Sequence, residues 1–160
     1  MKKTFGSIVI ALLLLIVLAT ATLAAPAAGQ RELLLKGNLQ ATETQQGAPP
    51  RIHISLNGSG NATQLGLFTY SMQAELTVPA LSATNVATFV AADGSSLSAE
   101  GTGQGTLTST PGVVSIVETL TITGGTGRFE GASGNITIRR VVNRATFESS
   151  GTIDGLILLP

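Results

Sequence analysis

The chain has 160 residues, nine basic and nine acidic side chains, and no cysteine. This length suits one domain, which can bury roughly two-thirds of its unfolded surface without a metal or disulfide to stabilise it. The lack of cysteine excludes disulfides and any dependence of the fold on redox state. The balanced charge has one small basic cluster, Arg139, Arg140 and Arg144, and therefore predicts no nucleic-acid partner.

The first 28 residues have the three parts of a secretory signal peptide. Lys2 and Lys3 precede an apolar run of 12 residues, 8–19, and the small residues Ala25-Pro26-Ala27 suit a cleavage site. A membrane-spanning helix needs about 20 apolar residues, so a removed signal is favoured over a retained anchor. Cleavage after Ala28 would leave a 132-residue domain, 29–160, with seven basic and nine acidic side chains. We expect a secreted, periplasmic or extracellular protein without a stable membrane anchor after processing.

The rest of the chain reads as strands, because apolar residues recur at every second position and Gly or Pro falls between the runs. Eight strands are predicted, at residues 32–42, 51–57, 62–78, 85–92, 96–108, 113–123, 135–142 and 145–158. Residues 47–50, 57–60, 92–94 and 110–112 are predicted turns, and residues 42–50 a mobile loop.

Short connections favour antiparallel neighbours, since parallel pairs need long crossovers. Eight such strands can bury one face and remove both edges by closing into an up-and-down barrel. The predicted fold class is therefore all-β, an eight-stranded antiparallel β-barrel preceded by a cleavable signal peptide. A two-sheet sandwich is the alternative.

Three segments carry a family resemblance: residues 61–70, 87–94 and 121–134. The third, Thr-Ile-Thr-Gly-Gly-Thr-Gly-Arg-Phe-Glu-Gly-Ala-Ser-Gly, is the most distinctive. Together they resemble bacterial secreted proteins with an allene oxide cyclase barrel-like domain, over residues 33–157. The chain departs from the common pattern at Gln64, where histidine is usual, and at Ser95-Ser96, where an acid often follows the turn.

The resemblance implies an eight-stranded antiparallel barrel with an apolar interior. Relatives with that fold include plant allene oxide cyclases and dirigent proteins, which often form trimers, so a homo-oligomer is one expectation. No set of plant cyclase active-site residues can be carried over to this sequence. Cyclase activity is therefore not implied, because fold alone does not confer it.

Two charged residues fall in apolar, inward phases of neighbouring strands. Glu118 alternates with Ile116 and Leu120, and Arg140 with Ile138 and Val142. If the connecting hairpin is centred near Phe129, Glu118 lies roughly opposite Arg140, where an ion pair is feasible. The pair could be the polar anchor of an apolar ligand pocket, or an ion pair at the barrel rim with no ligand.

Tyr70 and Arg128 complete the predicted ligand-binding set. Tyr70 shares the phase of Phe68 and could line a cavity, with core or surface packing as the alternative. Arg128 lies in the glycine-rich turn, where it could bridge loop carbonyls or close one mouth of the barrel. The sole histidine, His53, falls in an outward phase, so no catalytic residue, metal site or cofactor is predicted.

The leading function hypothesis is a secreted barrel that binds one small hydrophobic molecule, because barrels of about eight strands can hold such a ligand. Gly101, Gly103 and Gly105 could leave room for a cavity, or could permit strand bending. A cyclase or isomerase acting on a hydrophobic substrate is the second hypothesis, which an acid-bearing cavity open at one end would favour. A purely structural or surface-interaction protein is the third.

Overall fold

Strands make up nearly all of the chain that the structure describes. The structure is a computed structural model and describes residues 29–160. The strands are β1 (Arg31–Ala48), β2 (Arg51–Ala62), β3 (Gly66–Thr77), β4 (Ser82–Ala91), β5 (Ser96–Leu107), β6 (Val113–Thr126), β7 (Ser133–Asn143) and β8 (Glu148–Leu159). None of the residues from 29 onward forms a helix long and apolar enough to cross a membrane. The signal peptide predicted for residues 1–28 lies outside the described residues.

The eight strands close into one barrel, which confirms the predicted all-β, eight-stranded antiparallel architecture. Each strand pairs antiparallel with the next along the chain, and β1 also pairs with β8, from Arg31 opposite Leu159 to Thr42 opposite Glu148. Closure gives every strand in residues 29–160 a partner on both sides. Over the paired length of the strands, the backbone groups are thereby satisfied without an open edge, and the end of β1 beyond Thr42 extends past its pairing with β8.

Alternate side chains of each strand point into the barrel, as the period of two predicts. In β6, Val114, Glu118 and Leu120 are buried, whereas Val117 and Thr119 between them are exposed. One half of the interior is filled around three aromatic rings, with Tyr70 stacked on Phe89 at 5.8 Å and Phe68 about equally close to both. This packed half stabilises the barrel by removing large apolar side chains from water.

The two ends of the barrel differ. The β2–β3, β4–β5 and β6–β7 connections meet at one end, which we call the closed end. There a single 3-10 turn, Gly127–Phe129, places the fully buried Phe129 ring against the packed half of the interior. The β1–β2, β3–β4, β5–β6 and β7–β8 connections surround the other end, which we call the open end.

The turn predicted at residues 57–60 is wrong, because these residues continue β2. Gly58 and Gly60 are needed there for a different reason. A Cβ atom added at Gly58 would lie 2.5 Å from Tyr70 Cε1, and one at Gly60 would lie 2.6 Å from Phe68 Cζ. The two glycines therefore make room for aromatic rings and also for the backbone oxygens of Gln40 and Asn38 on β1, which an added Cβ would approach even more closely. The chain reverses direction later, around Gln64, which has φ 69°.

The mobile loop predicted at residues 42–50 is also wrong. β1 continues to Ala48, and its last residues pair with β2 from Glu43 opposite Leu56 to Ala48 opposite Arg51. Polar residues dominate this stretch because most of its side chains face solvent, which hides the strand period from a reading of composition. The extension of β1 places Glu43 inside the barrel.

Glycines on β5 have separable roles, which predicts unequal costs of adding a methyl group. A Cβ at Gly101 would lie 2.0 Å from the Thr119 backbone oxygen, so we expect Gly101→Ala to lower the free energy of unfolding by about 1–3 kcal/mol. The matched control is Gly105→Ala, whose Cβ would meet its nearest neighbour, Leu81 Cβ, at 3.3 Å. Urea denaturation of both variants measures the difference. Equal losses would contradict the proposed backbone contact at Gly101.

Candidate functional site

The open end of the barrel contains a cavity of about 180 Å³. Its wall is mainly apolar and comes from seven strands, β1 to β7, and from connections at the open end. The apolar lining consists of Pro49, Ile52, Ile54, Ala74, Leu76, Val78, Leu81, Ala83, Val114, Ile116 and Val142. A cavity of roughly 150 Å³ is large enough to hold benzene, so this one has room for a ligand with a single ring.

The floor of the cavity is a buried ion-pair cluster of Glu43, Arg140 and Glu118, which we call the charged floor. Arg140 donates from Nη2 to Glu118 Oε1 at 3.0 Å and from Nε to Glu118 Oε2 at 3.2 Å. It also donates from Nη1 to Glu43 Oε1. The structure thus brings together the predicted partners Glu118 and Arg140 and adds a second carboxylate.

The charged floor is shielded from water by the barrel wall. Glu43 and Arg140 are each 4% exposed, and Glu118 is 2% exposed. Burial acts to lower the pKa of Arg140, but the carboxylates of Glu118 and Glu43 outweigh it and raise that pKa above its usual value. The guanidinium therefore stays charged, and counting two carboxylates against one guanidinium gives the cluster a formal charge of −1.

The predicted register of the Glu118–Arg140 pair needs a correction. Glu118 pairs directly with Ile138, and Arg140 pairs with Ile116, so the two charged residues are diagonal neighbours. The 3-10 turn centres the connection on Arg128, one residue earlier than the prediction. Diagonal positions are still within reach of long side chains, and the ion pair forms.

Glu43 was missed because the first strand was predicted to end at Thr42. The signal for it was present, since Leu39, Ala41 and Glu43 share one inward phase and all three are buried. A carboxylate in an apolar phase must be paired, and Arg140 has enough donors for two carboxylates. Extending the alternation by one residue would have placed the Glu43 side chain inside the barrel.

Asn85 is a second residue that the sequence analysis did not single out. Its side chain lines the cavity and is 2% exposed, yet neither Nδ2 nor Oδ1 has a hydrogen-bond partner among residues 29–160. A Cβ at Gly103 would lie 3.1 Å from Asn85 Nδ2 and 3.2 Å from Glu118 Cγ. The missing side chain of Gly103 thus leaves a space that the Asn85 amide and Glu118 of the charged floor both border.

Tyr70 lies in the packed half of the interior, outside the cavity lining. Its ring stacks on Phe89, and its hydroxyl has no hydrogen-bond partner within the described part of the chain. Burial raises the pKa of Tyr70 well above its usual value of 10.0. Arg140 acts in the opposite direction, and Glu118 and Glu43 add to the increase. The phenol is therefore held neutral close to the charged floor.

Arg128 lies at the closed end, away from the cavity that Glu118 lines. Its guanidinium donates to the Gln64 carbonyl at 2.6 Å and pairs with Asp93, and its backbone N–H donates to Ser95 Oγ. A hydrogen bond from the Ser95 backbone N–H lowers the pKa of Asp93, and Arg128 contributes to this shift. Arg128 thus bridges a loop carbonyl and ties three connections together over Phe129, whose ring lies 4.9 Å from the guanidinium carbon.

Among the described residues, no side-chain arrangement suited to metal binding or to histidine-dependent chemistry is present at the cavity. Among residues 29–160, no group of three or more histidine or acidic side chains is placed to hold a metal ion. The His53 side chain is exposed on the outer wall, in the outward phase predicted for it. The cavity can therefore offer shape, apolar contact, a fixed charge and one unpaired amide.

Solved structures with the same barrel are dirigent proteins. The pterocarpan synthase dirigent protein GePTS1 aligns with a TM-score of 0.59 and 16% identity, over 84% of this chain and 94% of its own. The pterocarpan synthase dirigent protein PsPTS1 gives 0.57 and 16%, over 79% and 94%. No protein-family model and no curated protein matches the sequence. At this level of identity the likeness establishes one conclusion, that the chain has the eight-stranded barrel fold of dirigent proteins.

The burial of Tyr70 predicts an abnormal alkaline titration. Tyr70 is the sole tyrosine and the chain has no tryptophan, so tyrosinate absorbance reports this group alone. We expect no tyrosinate in the folded protein at the usual pKa of about 10. Because the folded pKa exceeds the unfolded one, the contribution to stability is full below about pH 10 and falls as pH rises above it. Tyr70→Phe should lack that fall; a midpoint near 10 in protein that is still folded would contradict the burial.

The charged floor predicts a large cost for removing its cation. Arg140→Met would leave two buried carboxylates without a partner, and we expect a loss of about 3–5 kcal/mol in the free energy of unfolding. Arg139→Met is the matched control, because Arg139 pairs with Asp154 on the exposed outer wall, where we expect about 0–1 kcal/mol. Adding Glu43→Gln and Glu118→Gln to Arg140→Met should recover most of the loss. Similar values for the two single variants, measured by urea denaturation, would show that the cluster is not buried in solution.

Proposed function

We propose that the protein binds one small, largely apolar molecule in the cavity at the open end of the barrel. The observation that carries this proposal is the combination of an apolar wall with a polar floor that holds an unpaired amide. Binding sites for small molecules commonly have this composition, in which apolar contact supplies affinity and a few polar groups fix orientation. A ring placed against Ile52, Leu76 and Ile116 would replace water along the wall.

The residues that line this end of the barrel support an open cavity there and argue against an interior filled by side chains. Gly103 and Gly105 of β5 both line the cavity, where larger side chains would occupy its volume. Gly101 does not line it and instead lets the β6 backbone approach. Of the two roles considered for these glycines, room for a cavity therefore fits Gly103 and Gly105, and backbone approach fits Gly101.

Within this function, Glu118 and Arg140 are proposed as the anchor for the polar end of the ligand, together with Glu43 and Asn85. Tyr70 is proposed to have a structural role, because its ring packs the half of the interior that lies beneath the charged floor. Arg128 is proposed as a clamp of the closed end, since its partners are loop groups far from the cavity. These roles divide the predicted ligand-binding set between the two ends of the barrel.

We also propose that the protein is exported, with residues 1–28 removed, and that it belongs with the secreted allene oxide cyclase barrel-like proteins that its motifs resemble. The dirigent barrel fold supports this placement, and it does not transfer the pterocarpan synthase activity of the neighbours, because one fold hosts many functions. The intact mass of protein purified from its own host tests the removal of the leader. Self-association and the lack of a nucleic-acid partner stay predictions.

A cyclase or isomerase that steers a hydrophobic substrate is the second candidate. One observation favours it: the cavity bears carboxylates and opens at one end. In such an enzyme the cavity would act by holding the substrate in a reactive shape. Both oxygens of Glu118 accept hydrogen bonds from Arg140, so its carboxylate would stabilise developing positive charge rather than deliver a proton.

Toluene is a probe of the cavity that does not depend on any polar group. We expect saturating toluene to shift the methyl resonances of Ile52, Leu76 and Ile116 in NMR spectra. Ala83→Phe should abolish these shifts, because it places a ring in a cavity of about 180 Å³. Thr84→Phe is the matched control, since the adjacent Thr84 side chain is exposed on the outer wall. Unshifted lining resonances in the wild-type protein would overturn the proposed function.

A further inference from the structure

The charged floor carries an unbalanced negative charge. The charged residues that line the cavity are Glu43, Glu118, Arg140 and Arg144. Arg144 is exposed at the rim, where water and salt screen its charge, so it does not neutralise the buried cluster. Tyr70, the remaining titratable group near the floor, is neutral. The bottom of the cavity therefore carries a formal charge of −1 in a setting that water screens poorly.

Hydrogen-bond acceptors without a donor are present at the floor. The guanidinium of Arg140 is directed at both carboxylates. Its hydrogen bond to Glu43 uses Oε1, which leaves Oε2 for a further donor. Both amide atoms of Asn85, the acceptor Oδ1 and the donor Nδ2, are buried and unpaired, and Asn85 lines the same cavity as the charged floor. Buried polar atoms are rarely left without partners, so the unpaired amide is an independent sign that a polar ligand group belongs here.

We propose that the cavity selects small organic monocations, in which a primary ammonium group sits between Asn85 and the charged floor and an apolar body, such as a single aromatic ring, lies along the wall. This inference rests on the proposed function and adds the chemical class of the ligand. An ammonium group has three donors and no acceptor, so it can satisfy Asn85 Oδ1 and both carboxylates at once. It would also bring the net charge of the floor to zero.

The same arrangement disfavours a carboxylate at the floor. An anionic head would face two buried carboxylates, and like charges placed together in a desolvated site repel strongly. A neutral hydroxyl head falls between the two cases, because it can donate one hydrogen bond but leaves the negative charge uncompensated. The cavity volume of about 180 Å³ limits the enclosed body to roughly one ring.

Three probes with one apolar body and different heads test the class: phenethylamine, phenethyl alcohol and phenylacetate. Isothermal titration calorimetry at neutral pH gives the affinity of each for the wild-type protein. We expect phenethylamine to bind at least about tenfold more tightly than phenethyl alcohol, and phenylacetate to bind least. An equal or tighter affinity for phenethyl alcohol or phenylacetate would overturn the cation preference.

Substitutions in the charged floor test whether it causes the preference for the amine over the alcohol. Glu118→Gln removes the net negative charge and should reduce the ratio of amine to alcohol affinity to about one. Glu43→Gln makes the same change of charge on another strand, so it serves if Glu118→Gln does not fold. Arg144→Gln is the control at the rim and should leave the preference for phenethylamine over phenethyl alcohol in place. A preference that survives both glutamate variants would also overturn the inference.

The toluene experiment separates the two proposals. Toluene binding without any preference for the amine would remove the cation inference and leave the apolar cavity as the function. Failure of toluene and of all three probes to bind would remove both. Retention of an amine by protein purified from its own host, detected by native mass spectrometry, would support both.

Discussion

The guanidinium of Arg140 is the constraint on which the inside of this barrel depends. Two carboxylates, Glu43 and Glu118, point into an interior that is otherwise lined mainly by apolar side chains. Neither could be buried alone without a large desolvation cost. Arg140 reaches both because β7 lies beside β6 and two strands from β1 around the closed wall. The ion-pair cluster therefore depends on barrel closure.

The cluster divides the interior into two halves with different properties. On one side the rings of Phe68, Tyr70 and Phe89 fill the space between the strands, and Phe129 covers the closed end. On the other side smaller residues such as Ala74, Ala83 and Gly103 leave a cavity. The packed half supplies the hydrophobic stabilisation of a small domain, which frees the other half from having to be filled.

The fold could be predicted from the sequence because it rests on a local signal, the alternation of apolar and polar residues along each strand. The inward phase of Glu118 and Arg140 follows from the same signal. Glu43 and the true turn around Gln64 could not be placed so easily. A strand whose outward residues are mostly polar resembles a loop in sequence, as the end of β1 does. Gly58 and Gly60 resemble turn residues in sequence, although their role is to make room for aromatic rings on the neighbouring strand. Gly58 pairs with Tyr70 and Gly60 with Phe68 across β2 and β3, so these contacts become apparent once the two strands are paired in register.

Asn85 shows a second kind of feature that could not be predicted from the sequence. Its inward position follows from its phase with Ala87 and Phe89, but the unpaired state of its amide depends on what the neighbouring strand lacks at Gly103. The alternation of residues along β4 carries no information about which side chain β5 lacks beside Asn85. Residues of this kind become visible when hydrogen-bond partners are sought atom by atom in three dimensions.

The contacts of Arg128 close one end of the barrel, so the cavity opens to solvent at the other end. Gln64, Asp93 and Phe129 seal the far end, so a guest would have to enter and depart through the same opening. A molecule anchored by one end at the bottom would point its other end outward. The enclosed volume therefore limits the part of a guest nearest its anchor and sets no limit on what trails into solution. Long-chain or conjugated compounds could occupy the same position as small ones, provided that their first few atoms fit.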